Sequence, residues 1–181
     1  MVLLILGVAL WALAHFFKRI APDARARMGN SGKGAVALAL VVSIVMMVFG
    51  YKMADGAVFW GRHPATVGIN NLMMIAALYF TSPGPSKGAL FYRMRHPMLT
   101  GFLIWAAGHL LVNGDMASIV LFGGLGLWAL VQMAIINRAE PNWTPPQKGI
   151  IRKDLTFGAA SVVLMLVIGW IHGLLGPVPF G

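Results

Sequence analysis

Histidine is the residue of this chain best suited to chemistry in an apolar setting, and three of its five histidines, His172 among them, stand inside long apolar runs. His15 lies in the run 2–17, and His109 lies in the run 97–112. A neutral imidazole can bind a metal ion through a ring nitrogen. Each of these two histidines follows a tryptophan by four residues, Trp11 and Trp105. Since residues four apart share one face of a helix, the pattern predicts two matched indole and imidazole pairs.

The depth of the two histidines in a membrane follows from a rise of about 1.5 Å per residue and a hydrocarbon core of about 30 Å. In a helix that starts at Leu3 on the outer face, His15 lies about 18 Å below that face. In a helix that starts at Met98 on the inner face, His109 lies about 13 Å below the outer face. Two histidines that differ by only about 5 Å in depth suit bis-imidazole ligation of a haem. Alternatively, each histidine bonds a neighbouring carbonyl or hydroxyl and serves only helix packing.

A second group of candidate residues stands just before the run 97–112. Arg93, Arg95 and His96 precede Pro97, so a basic and proline-broken segment leads into a helix. Two arginines and a histidine can hold a phosphate or a carboxylate. The segment therefore predicts an anion or ligand site at the cytoplasmic face. A basic topology signal followed by a first-turn proline explains the same residues equally well.

The composition indicates which elements must position these side chains. Of the 181 residues, 59% are hydrophobic and only 10% are charged, whereas an average soluble domain is about 25% charged. The mean hydropathy is +0.78. A soluble domain of this size cannot bury so much apolar surface, which excludes a soluble enzyme and a disordered regulator. The chain has no cysteine, and it therefore has neither a disulfide nor a thiolate metal ligand.

The apolar runs predict an all-α fold, a polytopic membrane helical bundle of about six transmembrane helices in a single domain, 1–181. A spanning helix needs about 20 residues, with about 17 as the lower limit. Turn residues separate the runs, and Asp115 is placed to cap the fifth helix. Pro64 and Pro97 suit the first turn of the third and fourth helices. The six runs are 2–17, 35–51, 64–80, 97–112, 116–136 and 155–175.

The net charge of +9 predicts an orientation and not a nucleic-acid partner. Twelve of the fourteen basic residues fall in the first, third and fifth loops between the runs. The positive-inside rule places those loops in the cytoplasm, so both termini are predicted to be periplasmic. There the cations meet anionic lipid head groups, which makes membrane lipids the expected partners. No basic residue precedes the first apolar run, and we expect an uncleaved first helix.

Several segments carry a resemblance to a known family. Together they extend over nearly the whole chain, and the part from Arg95 to Asp115 is the most specific. The chain resembles the NnrU family of bacterial inner-membrane proteins. The segments are Leu10-Trp11-Ala12-Leu13-Ala14-His15, Trp60-Gly61-Arg62-His63, Arg95-His96-Pro97-Met98-Leu99-Thr100-Gly101, the stretch from Trp105 through His109 to Asp115, Ile136-Asn137-Arg138-Ala139-Glu140-Pro141 and Trp170-Ile171-His172.

The resemblance implies a location, a cofactor and a field of function. The family is named for a link to nitrite and nitric oxide reductase in denitrifying bacteria, and its members lie in the inner membrane. It is also similar to zeta-carotene isomerase, a membrane haem b enzyme that moves a cis double bond to trans. The haem histidines of that relative correspond by motif to His15 and His109. Its alternative cysteine ligand would fall near Ala106, and this chain has no cysteine for a ligand switch.

Two further functions stay open at this point. The Arg-His-Pro string is similar to one in membrane isoprenylcysteine and phospholipid methyltransferases, where it helps to bind S-adenosylmethionine together with a later Arg/Glu segment. Arg138 and Glu140 match that later segment weakly, and Met98 and Leu99 stand where an aromatic residue is usual. The small size and the absence of an acid in the centre of any run also suit a non-enzymatic accessory subunit of a larger membrane complex.

Overall fold

The computed structural model describes residues 1–176 and 178–180, and within them the regular secondary structure is helical. The six apolar runs form six long helices, as the hydropathy pattern predicts. Two short helices in the first and third loops were not predicted. A single antiparallel bridge pairs Val58 with Asp115. The helices are α1 Val2–Ile20, α2 Pro22–Arg27, α3 Ser31–Lys52, α4 Pro64–Thr81, α5 Gly84–Lys87, α6 Pro97–Val112, α7 Met116–Ala139 and α8 Ile151–Leu175.

Four of the long helices, α1, α3, α7 and α8, are long and apolar enough to cross a membrane. Helix α6 is apolar but has only 16 residues, and at about 1.5 Å per residue it is shorter than the bilayer core. Large apolar side chains cover the outer surface, among them Val163 and Leu174, which are 61% and 66% exposed. Such surface is stable against lipid tails and costly against water. The protein is therefore embedded in a membrane, where it contacts lipid.

Local side-chain chemistry sets where several helices begin. Pro64 and Pro97 occupy the first turn of α4 and α6 as predicted, where the missing N–H of proline leaves no bond unmade. Asp115 caps α7, as expected, because its carboxylate accepts the Ser118 N–H at 2.8 Å. The His63 ring accepts a backbone N–H in the first turn of α4. These caps satisfy donors that would otherwise have no partner.

The long helices pack as two pairs joined by α7. Helix α1 packs mainly on α3, and α4 packs mainly on α6. Helix α7 contacts both α1 and α6, while α8 covers α4 and the short α5. At the crossing of α1 and α3, a Cβ on Gly50 would lie 2.5 Å from the Leu4 backbone nitrogen. Only glycine permits so close an approach of the two backbones.

The loops divide into two ends of the bundle. At one end, which we call the basic end, Arg19 pairs with Glu140 at 2.5 Å and the Gly149 N–H donates to the Gly88 carbonyl at 3.0 Å. These contacts bring together the first, third and fifth loops, which hold most of the cations. At the other end, Phe59 bonds the Gly114 carbonyl at 2.8 Å. The first helix begins at that end, where a Cβ on Gly56 would lie 3.9 Å from the Met1 side chain, and Arg62 there donates to the Val178 carbonyl at 2.8 Å.

Candidate functional site

His15 is held on α1 by a bond to its own helix. Its Nδ1 lies 2.9 Å from the Trp11 carbonyl oxygen. A carbonyl only accepts, so Nδ1 carries the proton and donates it. The lone pair of the neutral ring then resides on Nε2, which is free to bind a metal ion or to accept a hydrogen bond.

His109 repeats this arrangement on α6. Its Nδ1 donates to the Trp105 carbonyl at 2.9 Å, so its lone pair also resides on Nε2. Each imidazole also lies against the indole one turn earlier, with ring centroids 4.4 Å apart for Trp11 and His15 and 4.9 Å apart for Trp105 and His109. The i, i+4 spacing therefore produces the two indole and imidazole pairs that it predicts.

Five aromatic side chains join the two histidines, and we call them the aromatic cluster. Their rings contact one another at centroid distances of 5.0 to 6.2 Å. From His15 a path of ring contacts leads through Trp128, Phe102 and Trp105 to His109, with steps of 4.6, 5.2, 5.0 and 4.9 Å. The histidines therefore lie at opposite ends of the cluster. Its members are Trp11 on α1, Phe102 and Trp105 on α6, and Phe122 and Trp128 on α7.

Helix α7 supplies the part of the site that the sequence did not reveal. Its residues Ile119–Gly123 form a π-helical turn, a distortion often found at functional sites. Within that turn Phe122 stacks on His109, with ring centroids 4.5 Å apart and an angle of 26°. Trp128 lies on the same helix and contacts the His15 ring. Neither residue has a spacing signal that links it to a histidine, because both contacts are between helices.

The two histidines differ more in depth than the 5 Å expected from the sequence. His109 contacts Phe122 and His15 contacts Trp128, and these partners are six residues apart on α7, roughly 9 Å along the axis. A second alignment uses the stacking of Trp11 on Phe102, which places these two residues at one height. His15 and His109 lie in opposite directions from that height, and their separation along the bundle is then roughly 16 Å. The estimate from the sequence started both helices at a membrane face, whereas α6, with 16 residues, is shorter than the bilayer core.

Either histidine could hold a haem through its Nε2 atom, but in this packing aromatic rings stand between the two. Each Nε2 offers a lone pair amid aromatic rings, which suits an axial ligand and an apolar macrocycle. Two imidazoles on one iron must bring their ligating nitrogens to about 4 Å from each other. The rings of Phe102 and Trp128 stand on the path between them. Ligation by both histidines would require these two rings to move aside.

The remaining histidines have other surroundings. His63 caps α4, and the His96 Nε2 lies 2.8 Å from the Asn137 side-chain oxygen. His172 on α8 is close enough to His109 for an electrostatic interaction. Within residues 1–176 and 178–180, no three histidine or acidic side chains come together as a metal site.

At the basic end, two of the three residues of the predicted anion site contact the end of α7. Arg95 donates to the Glu140 backbone carbonyl, and its guanidinium lies 5.9 Å from the Trp143 ring centroid. Together with the bond from His96 to Asn137, this contact holds the start of α6 against the end of α7. Arg93 is exposed and does not take part in these contacts.

Glu140 is an acidic group of the basic end whose pKa is shifted by neighbouring cations. The hydrogen bond and the charge of Arg19 hold the pKa of Glu140 below its ordinary value, and the charges of Arg95 and Lys18 act in the same direction. The carboxylate thus stays ionised at neutral pH and pairs the end of α1 with the end of α7. The segment 136–140 therefore contacts α1 through Arg19 and the start of α6 through Arg95 and His96.

A buried acid at the basic end was not predicted. Asp154, only 5% exposed, accepts the Tyr79 hydroxyl at 2.5 Å and the Ala89 N–H at 2.6 Å. It thereby ties α8 to α4 and to the third loop. The sequence signal was an acid in the first turn of an apolar helix, which alone indicates only a favourable charge at a helix N-terminus.

Comparison with known proteins gives one match. The family model described as NnrU protein matches residues 3–179. No curated protein and no solved structure matches the chain. The motifs from His15 to His172 thus belong to one continuous family domain that includes all six long helices. The chain is therefore a member of the NnrU family.

Proposed function

We propose that this NnrU-family protein spans the bacterial inner membrane six times with both termini periplasmic. Helices α1, α3, α7 and α8 are long enough to span, and α4 and α6 pack between them. The cation-rich loops gather at one end of the bundle, and the positive-inside rule assigns that end to the cytoplasm. The shortness of α6 implies a thinned bilayer or a partly shielded position beside α7.

The function we propose for the site is binding of haem b. The observation that carries this proposal is the pair of Nδ1 bonds to backbone carbonyls, which leave each Nε2 as an available ligand. Such a bond on the second ring nitrogen is typical of metal-ligating histidines. Apolar and aromatic side chains around both rings exclude water and suit a porphyrin.

His109 is the more enclosed of the two candidate axial ligands. Its ring is stacked on Phe122 and backed by Trp105. His15 contacts Trp11 and Trp128 at the other end of the cluster. The packing therefore favours one histidine on an iron, and two histidines on one iron if Phe102 and Trp128 separate. Haem supplies redox chemistry, while the chain positions the ligand and excludes water.

Single variants distinguish these arrangements. We expect the haem content of the purified protein, measured as its pyridine haemochrome, to fall at least tenfold in His109→Ala if that residue is an axial ligand. A matching loss in His15→Ala would indicate ligation by both. His63→Ala is the matched control, since His63 caps α4 outside the cluster. Equal haem content in all four proteins would exclude both candidate ligands.

The cellular role we propose follows from the family. A haem in this protein supports the nitrite and nitric oxide reductases, or serves a redox-linked isomerisation of a membrane substrate. The test is a strain without the gene, grown under denitrifying conditions. We expect nitrite or nitric oxide to accumulate, and the wild-type gene but not its His109→Ala form to restore their removal. Unchanged removal in the deleted strain would contradict the reductase role.

One observation favours methyl transfer as a second candidate. The bonds from Arg95 and His96 reach the segment that ends in Glu140, so the two strings that resemble methyltransferase motifs lie side by side at the basic end. This alternative predicts binding of S-adenosylmethionine that weakens in Arg95→Gln. Calorimetric titration of the purified protein tests it, and absence of binding heat would remove it.

A further inference from the structure

Three polar side chains on α1 and α7 keep buried atoms without a partner. The Nε1 atoms of Trp11 and Trp128 and the Oε1 atom of Gln132 are buried and make no hydrogen bond within the described residues. Trp128 is only 6% exposed. The Trp11, Trp128 and His15 rings contact one another at 4.4 to 5.5 Å. We call these three rings together with Gln132 the His15 site.

Unpaired polar atoms of this kind require an explanation in an apolar interior. Buried donors and acceptors are nearly always bonded, because each one without a partner costs free energy. Within the described residues there are four such side-chain atoms, of which three belong to the His15 site and the fourth, Asn70 Oδ1, lies on α4. Trp11 and His15 are one turn apart on α1, and Trp128 and Gln132 are one turn apart on α7. A molecule that bonds to several of them at once would account for the concentration.

The chemistry of the atoms restricts what that molecule is. An indole N–H only donates, so Trp11 and Trp128 call for an acceptor oxygen. The Gln132 oxygen and the His15 Nε2 only accept in the present tautomer, so they call for a hydroxyl. A head group that carries carbonyls when oxidised and hydroxyls when reduced satisfies both sets. The surrounding rings favour a flat, uncharged head group.

We infer that the His15 site binds the head group of a membrane quinone, with indole N–H groups donating to a carbonyl of the quinone and His15 and Gln132 accepting from the quinol.

The position of the site suits a ligand that arrives from the membrane. His15 is five residues from the end of α1, roughly 7.5 Å from the basic end of that helix. Its side chain and that of Trp11 are only partly buried, so an approach from the lipid phase remains open. An apolar tail would stay among the lipid tails beside α1.

The inference uses the same cluster as the proposed haem site, but it does not depend on haem. It gives the two histidines different roles, since a His15 Nε2 that accepts from a quinol is not an iron ligand. His109 then remains as the candidate axial ligand. A path of ring contacts through Phe102 and Trp105 connects the two positions.

Calorimetric titration of the detergent-solubilised full chain with decylubiquinone tests the inference. We expect saturable binding, weakened about tenfold in Trp128→Phe and in Trp11→Phe, the effect of one lost hydrogen bond. Phenylalanine keeps an aromatic ring and removes only the N–H group. Trp105→Phe is the matched control, because Trp105 belongs to the cluster and its nitrogen is not among the unpaired buried atoms. Decylbenzene, which has a ring and a tail but no carbonyl, should not bind.

The other outcomes either overturn the inference or separate it from the haem proposal. Absence of saturable binding, or equal weakening in Trp105→Phe, would overturn it and would leave ordered water as the partner of the indoles. Loss of bound haem in His15→Ala would overturn it as well, because iron would then occupy Nε2. Quinone binding in a preparation without haem would support it even though the proposed haem function had failed.

Discussion

At the scale of residues, the i, i+4 spacing of tryptophan and histidine predicts one part of the surroundings of His15 and His109 and misses another. The i, i+4 relation correctly places an indole against each imidazole. It does not reveal the Nδ1 bond to the backbone, which decides the tautomer and leaves Nε2 free. That bond also shows why a histidine bonded to a carbonyl is not thereby excluded as a ligand, since only one ring nitrogen is used.

Asp154 gives a stability prediction at the same scale. In Asp154→Ala, the Tyr79 hydroxyl and the Ala89 N–H both lose their acceptor. We expect a loss of roughly 3 kcal/mol, since bonds to a charged acceptor are stronger than neutral ones and the buried donors stay unpaired. Thermal unfolding of the protein in detergent measures it. The adjacent Lys153→Ala, an exposed residue, is the control and should unfold as the wild type does. Equal unfolding temperatures for the two variants would show that Asp154 does not anchor the loop.

Residue types also limit what could be predicted of the site. His15, His109, Trp11 and Trp105 were recognisable because histidine and tryptophan recur at one spacing. Phe102, Phe122 and Trp128 were not, since their contacts depend on how α7 crosses α1 and α6. An aromatic residue in an apolar helix can face either lipid or a site, so side-chain type alone does not distinguish the two.

At the scale of elements, the crossing of α1 and α3 depends on one glycine. A methyl group on Gly50 would lie 2.5 Å from the Leu4 backbone nitrogen, where no flexible side chain can yield. We expect Gly50→Ala to destabilise the protein by roughly 1 to 3 kcal/mol. Gly158→Ala in α8 meets no atom within 4 Å and should stabilise by about 0.5 to 1 kcal/mol through helix propensity. Unfolding in detergent compares them, and a neutral Gly50→Ala would contradict the described crossing.

The ion pair between α1 and the end of α7 predicts a pH dependence. The pKa of Glu140 is lowered in the folded protein by Arg19, so the unfolded chain takes up a proton at a higher pH than the folded protein. The contribution of the pair to stability is therefore fully present above the unfolded pKa and is lost as the pH falls through the lowered, folded pKa.

Glu140→Gln tests this linkage. At neutral pH we expect the variant to unfold at a lower temperature than the wild type. As the pH falls through the folded pKa of Glu140, the two unfolding temperatures should converge. A difference that stays constant down to the acid limit would show that the Arg19–Glu140 pair makes no titratable contribution. High salt should reduce the difference at neutral pH, because the pair is exposed to solvent.

Element boundaries were more predictable than element packing. Turn chemistry at Pro64, Pro97 and Asp115 marks where α4, α6 and α7 begin, because each residue acts on its own first turn. The order of neighbours around α7 is a tertiary property and leaves no such mark. The same is true of the relative heights of α1 and α6, which set how far apart His15 and His109 lie along the bundle.

At the scale of the whole molecule, orientation in the membrane can be tested through the natural lack of cysteine. Ser86 in the third loop and Gly61 before α4 are both exposed and lie toward opposite ends of the bundle. We expect Gly61→Cys in intact cells to react with a thiol reagent that cannot cross the inner membrane. Ser86→Cys should react only after the cells are opened. The reverse pattern would invert the proposed topology, and labelling of both in intact cells would contradict a closed bundle.

The fold class, an all-helical membrane bundle, could be predicted from the sequence because long apolar runs are its strongest pattern. The six runs and the six long helices agree within a few residues. The exposed apolar surface is the same for a lone membrane protein and for an accessory subunit of a larger complex, since lipid and another apolar helix are equally good neighbours.

The central claim is that the aromatic cluster with a histidine at each end binds haem b. An absorption spectrum of the protein, purified in mild detergent from cells with ample haem, tests it most directly. We predict a Soret band in the wild-type protein that is lost in His109→Ala and kept in the capping-residue control His63→Ala. A colourless wild-type preparation, or a band that survives both His15→Ala and His109→Ala, would contradict it.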